Sequence, residues 1–107
     1  MIKISIYQNE EAVITGFRLS GHAGYAEHGH DIVCAAVSAL VINTINSIEQ
    51  FTNDVFTLDE DEQSGMIEFH VTSPICDESK LLLNSLFLGL SGIQEDYGQE
   101  FIKFTSA

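Results

Sequence analysis

Basic residues are scarce in this 107-residue chain. Four Lys and Arg stand against 16 Asp and Glu, for a formal net charge of −12. Phosphate backbones are held by clustered Lys and Arg, so direct nucleic-acid binding is not expected. The charge suits a basic partner or serves only solubility. Cysteine is equally sparse. Cys34 and Cys76 are too few for a disulfide framework, and a reducing, cytoplasmic setting is expected. No uninterrupted apolar run approaches the ~18 residues of a membrane span. The opening stretch MIKISIYQNE alternates apolar and polar residues, unlike the basic and then apolar regions of a secretory leader. Pro74 is the only proline, and no repeat, low-complexity stretch or linker interrupts the chain. One domain over residues 1–107 is the expected organisation.

What is present is periodicity. Ile2, Ile4 and Ile6 alternate with Lys3, Ser5 and Tyr7, and Val13, Thr15, Phe17 and Leu19 repeat the pattern, so a hairpin opens the domain. Residues 21–30, GHAGYAEHGH, have three glycines and no apolar period, and read as a loop. Asp31 is predicted to cap a helix of roughly five turns, in which Val33, Val37, Val41, Ile45 and Ile48 fall at helical spacing. A strand is predicted over Val55–Leu58, a turn over the acidic run Asp59–Glu62 and Ser64-Gly65, and a strand through Ile67, Phe69 and Val71. A second helix opens at Asp77 and Glu78 and stops at Gly98, and Phe101–Phe104 forms a last strand. The order β-β-α-β-β-α-β implies an α+β two-layer sandwich, its mixed, largely antiparallel sheet covered by two helices. Leu81, Leu88 and Tyr97 exceed what a polar helix face needs, and suit a homodimer contact.

Chemistry concentrates in residues 21–38. Cys34 is predicted in the first turn of the Asp31-capped helix, where unpaired N–H groups favour a thiolate. Asp31, Cys34 and Ser38 share one helix edge, at the margin of the apolar stripe. His22 enters a glycine-flanked loop that can return an imidazole to the thiol. A Cys–His pair in hydrogen-bond reach is the minimum for nucleophilic acyl transfer, and backbone amides after Cys34 are candidate oxyanion donors.

Blander roles stand beside these. A cysteine beside an apolar stripe also serves as a small packing residue, Asp31 as a cap alone, and Ser38 as a hydroxyl bonded back to its own helix. His22, His28, His30 and Cys34 are four potential zinc ligands, although their spacing matches no usual finger pattern. His70 reads as an outward strand residue. Cys76 precedes the second helix without a nearby base.

The combination of Gly21-His22-Ala23, Gly29 and the run DIVCAAVSAL from Asp31 to Leu40 resembles the signature of the bacterial ribosomal-processing cysteine proteases, the Prp family. Length and element order fit that family over nearly the whole chain. The resemblance implies that Cys34 is the nucleophile, His22 its base, Asp31 an acidic residue associated with the site and Ser38 a residue lining it. It further implies a homodimer with a mobile loop over the site, and no metal or cofactor. The implied task is removal of a short N-terminal extension from a large-subunit ribosomal protein, cutting after a hydrophobic, Phe-rich motif. Gly24, His28 and His30 depart from the family loop. The alternative is a non-enzymatic, ribosome-associated factor that holds a peptide in the same cleft.

Overall fold

The computed structural model describes residues 1–21 and 30–105. Its elements are β1 (Ile2–Gln8), β2 (Ile14–Ser20), α1 (His30–Phe51), β3 (Phe56–Asp61), β4 (Met66–Val71), α2 (Asp77–Tyr97) and β5 (Ile102–Thr105). This is the order read from the sequence. The strands form one mixed sheet in the order β3-β4-β2-β1-β5. Three neighbouring pairs are antiparallel. Only β1 and β5 are parallel neighbours, and α2 carries the chain across from β4 to β5.

Both helices lie on one face of the sheet. Side chains alternate along each strand, so register decides which residues meet the helices. Phe17 opposes Ile6 on β1 and Phe69 on β4, and these columns point inward. The Phe17 and Phe69 rings stack with centroids 5.3 Å apart and both are fully buried. Burial of one such side chain stabilises the fold by roughly 1.5–3 kcal/mol. Val33, Val37, Val41 and Ile48 of α1 and Leu83, Leu86 and Leu90 of α2 close the core from above. By length and composition α1 is apolar enough to cross a bilayer. Here its valine and isoleucine stripe is spent on the sheet instead.

Among the described residues, no helix covers the opposite sheet face. Tyr7 and His70 stack across the narrow Gly16 position, with ring centroids 4.7 Å apart. His70 is thus the outward strand residue expected. Its ring N–H donates to Glu68 at 2.9 Å and Arg18 donates to the same carboxylate at 3.1 Å. The His70 hydrogen bond, opposed by desolvation and aided by the Arg18 charge, holds Glu68 below the usual carboxylate range. Leu81, Leu88 and Tyr97 of α2 are exposed.

Two sequence expectations are corrected. The helix starts at His30, not after Asp31, so Asp31 lies within the first turn rather than in front of it. The acidic run was expected to turn, yet Asp59, Glu60 and Asp61 continue β3, and the turn covers residues 62–65. The reason is position: β3 is an edge strand, paired on one side only, where charged side chains reach water and deter further strand pairing.

The entrance to α2 is held from a distance. Cys76 is the N-cap, but no side-chain cap comes from it. Instead Asp54, before β3, accepts the Cys76 N–H at 3.0 Å. The Cys76 thiol donates to Ser79, which is fully buried, at 3.5 Å. Burial pushes the Asp54 carboxyl up. Hydrogen bonds led by that of the Cys76 amide, with the Ser79 hydroxyl next, outweigh it and leave the group below its ordinary value.

Candidate active site

Where α1 leaves the sheet edge, a cleft of about 240 Å³ opens between the helix, the ends of β1 and β2, and the tip of the β3–β4 hairpin. At about 30 Å³ per water it holds the equivalent of roughly eight waters, room for a side chain or two of a peptide. Ile2, Leu19, Val41 and Ile67 give it an apolar floor, and Cys34 and Ser38 stand on its helical wall. The four-residue spacing of Cys34 and Ser38 is one helical turn, which stacks them on the same edge as the sequence predicts. Cys34 is half-buried and packs against the core, whereas Ser38 is exposed. Cys34 and Cys76 are both reduced thiols.

Cys34 sits deeper in α1 than expected. With the helix starting at His30, it is the fifth helical residue and begins the second turn. The dipole effect is strongest over the first turn, so it reaches Cys34 diminished. The amides that follow Cys34 belong to the hydrogen-bonded body of α1, where each N–H is engaged by the carbonyl four residues earlier. They are therefore not available as oxyanion donors.

Gly21 is the last described residue before the segment that holds His22. It adopts φ +85°, a region where residues with a Cβ are strained. Its N–H donates to the Ser64 carbonyl at 3.0 Å, and a Cβ added there would fall 2.5 Å from the Met1 carbonyl oxygen. Close backbone packing thus explains this glycine independently of any chemistry. His22 and His28, and the side chains of His30 and Asp31, lie outside the described residues. The zinc alternative built on those histidines therefore lies outside them too.

Sequence reasoning missed two features of this end of the molecule. Glu60, Asp61 and Glu62 line the same cleft as the thiol, although they were assigned only to a turn. The period-two column Phe56, Leu58, Glu60 was the available signal. Asp54 at the α2 entrance gave no local signal, because its partner is 22 residues away.

A family model described as cysteine protease Prp matches residues 1–103. The ribosomal processing cysteine protease Prp of Staphylococcus aureus is 32% identical over 99 residues, covering 92% of this chain and 93% of that protein. Its Bacillus subtilis counterpart is 32% identical over 101 residues, covering 91% and 90%. A crystal structure of the S. aureus protease with a substrate peptide superposes with a TM-score of 0.90 over 100% of both chains, at 32% identity. A second, with a covalently linked product peptide, gives 0.88 over the same coverage and at the same identity. The fold is therefore that of a cysteine protease, a hydrolase. Within that class, the chain belongs to the Prp family of ribosomal-processing cysteine proteases.

Proposed function

We propose that this protein removes the N-terminal extension of a large-subunit ribosomal protein precursor in the cytoplasm, with Cys34 as nucleophile and His22 as general base. The observation that carries the assignment is access: of the two thiols, Cys34 lines the cleft and Cys76 does not. That the S. aureus relative was crystallised with a covalently linked product peptide supports covalent chemistry.

In this mechanism His22 takes the proton of the Cys34 thiol, and the sulfur attacks the scissile carbonyl. The C–N bond breaks as the imidazolium returns its proton to the leaving amine, giving a thioester. Water, deprotonated by the same imidazole, then releases the carboxylate product and restores the thiol. Ser38, one turn beyond Cys34, lines the wall along which the peptide lies. Asp31, one turn before it, supports the site by orienting His22 or steadying the start of α1. The residues assigned here complete the reaction without a metal or cofactor. The exposed Leu81, Leu88 and Tyr97 support a homodimer through α2.

The test is incubation with the precursor ribosomal protein, comparing wild type with Cys34→Ala by mass spectrometry. Wild type is expected to yield the shortened protein and the variant to leave the precursor whole. Precursor left intact by wild type, yet retained on it, would favour the binding factor over the protease.

A further inference from the structure

Glu60 lies on the helix side of β3, where Phe56 is half-buried and Leu58 and Glu60 are exposed. In β3 the column Phe56, Leu58, Glu60 faces the helices, opposite Val71, Phe69 and Ile67 of β4. The first two members are apolar, as that face requires. The third is a carboxylate, at the point where the column leaves the core and enters the cleft. Glu62, from the hairpin turn, continues the same rim. Among the described residues, no Lys, Arg or His side chain forms an ion pair with either. An inward-pointing charge also guards an edge strand against pairing, but Asp59 and Asp61 already give β3 charges in its other column, and Asp61, next to the turn, also reaches the cleft. Glu60 differs from Asp59 in sharing a cavity with a thiol and an apolar floor.

Those surroundings fit a peptide in extended form, whose successive side chains diverge to opposite walls. An apolar side chain lies on the floor of Ile2, Leu19 and Ile67, and its neighbour turns to the hairpin rim. We infer that Glu60, with Glu62 beside it, is a specificity determinant that takes a Lys or Arg side chain of the substrate close to the scissile bond. This rests on the cleft being the protease site. Because the rim is exposed, the preference is modest and sensitive to salt.

Short neutral peptides with one cleavable bond test this, with Lys or Gln placed in turn at successive positions on either side of the bond. At low salt the best Lys peptide is expected to exceed its Gln twin in kcat/KM by roughly three- to tenfold, and the ratio to approach one near 1 M salt. Glu60→Gln with Glu62→Gln is expected to bring the low-salt ratio close to one. Asp59→Asn, on the other face of the same strand, is expected to leave it unchanged. Equal cleavage of Lys and Gln peptides at every position would overturn the inference while leaving the protease site intact. So would a preference that survives the double substitution. If neither peptide is cleaved in a Cys34-dependent way, the protease site itself is wrong and the inference falls with it.

Discussion

Cys76 stands at the N-cap of α2, where the helix dipole acts most strongly on a thiol, while Cys34 lies a full turn inside α1. By the dipole alone, Cys76 would be the activated sulfur. Its surroundings point the other way. Its amide is held by Asp54, its thiol by the buried Ser79, and it lines no part of the cleft. Cys34 gives up dipole strength and gains an opening onto an apolar groove. On the proposed reading, access rather than proximity to a helix terminus chooses the nucleophile in this fold.

The largest expected effect tests that choice directly. Cys34→Ala should lower peptide turnover by roughly 10³-fold or more, since no covalent route remains. Cys76→Ala should leave turnover close to wild type. Steady-state cleavage of one fluorogenic peptide by both variants decides the matter, and a reversed pattern would assign the chemistry to the α2 entrance. His22→Ala should cost roughly 10²–10⁴-fold, the range for loss of a positioned base.

A smaller effect sharpens the contrast through reactivity. Iodoacetamide should modify Cys34 faster than Cys76 in the folded protein. Cys34 lines the cleft, whereas Cys76 does not and its thiol is held against the buried Ser79. Peptide mapping over a time course measures both sites at once. Equal rates would mean that the Ser79 contact protects nothing.

The α1 half of this contrast was legible in the sequence because its signals are local. The four-residue step from Cys34 to Ser38 fixes their shared edge wherever the helix starts. The valine and isoleucine stripe fixes which side meets the sheet. Helix ends are less well specified: Asp31 has the chemistry of a cap, yet the helix begins one residue earlier. The acidic run misled for a different reason. Charge density resembles a turn when the sequence is read alone, and only the sheet order shows that β3 is an edge that tolerates it. The α2 half was hidden because Asp54 and Cys76 meet only after β3 and β4 have formed a hairpin between them.

That hidden contact gives the next prediction in size. Asp54→Ala removes the acceptor of the Cys76 amide and leaves Ser79 without a carboxylate partner. The expected loss is about 1–2 kcal/mol in global stability, as for other lost N-caps. Urea unfolding measures it. Specific activity of the folded fraction should hold, since Asp54 does not touch the cleft. A comparable loss of activity per folded molecule would instead couple the two helix entrances.

The smallest effect concerns the charge on Asp54 alone. Its folded pKa lies below the ordinary value, because hydrogen bonds to the ionised form outweigh the cost of burying it. A depressed carboxylate stabilises the fold at pH values above its unfolded pKa of about 3.9. That contribution is lost as pH falls through the lower, folded value. Many other carboxylates titrate over the same interval, so wild-type acid sensitivity alone says little. The stability difference between wild type and Asp54→Asn isolates the one group, and Asn retains an acceptor for the Cys76 amide. The difference should be constant above about pH 5 and narrow below about pH 4. If it held steady to the lowest pH at which the protein folds, the Asp54 charge would contribute nothing. The α2 entrance would then be held by its hydrogen-bond geometry alone.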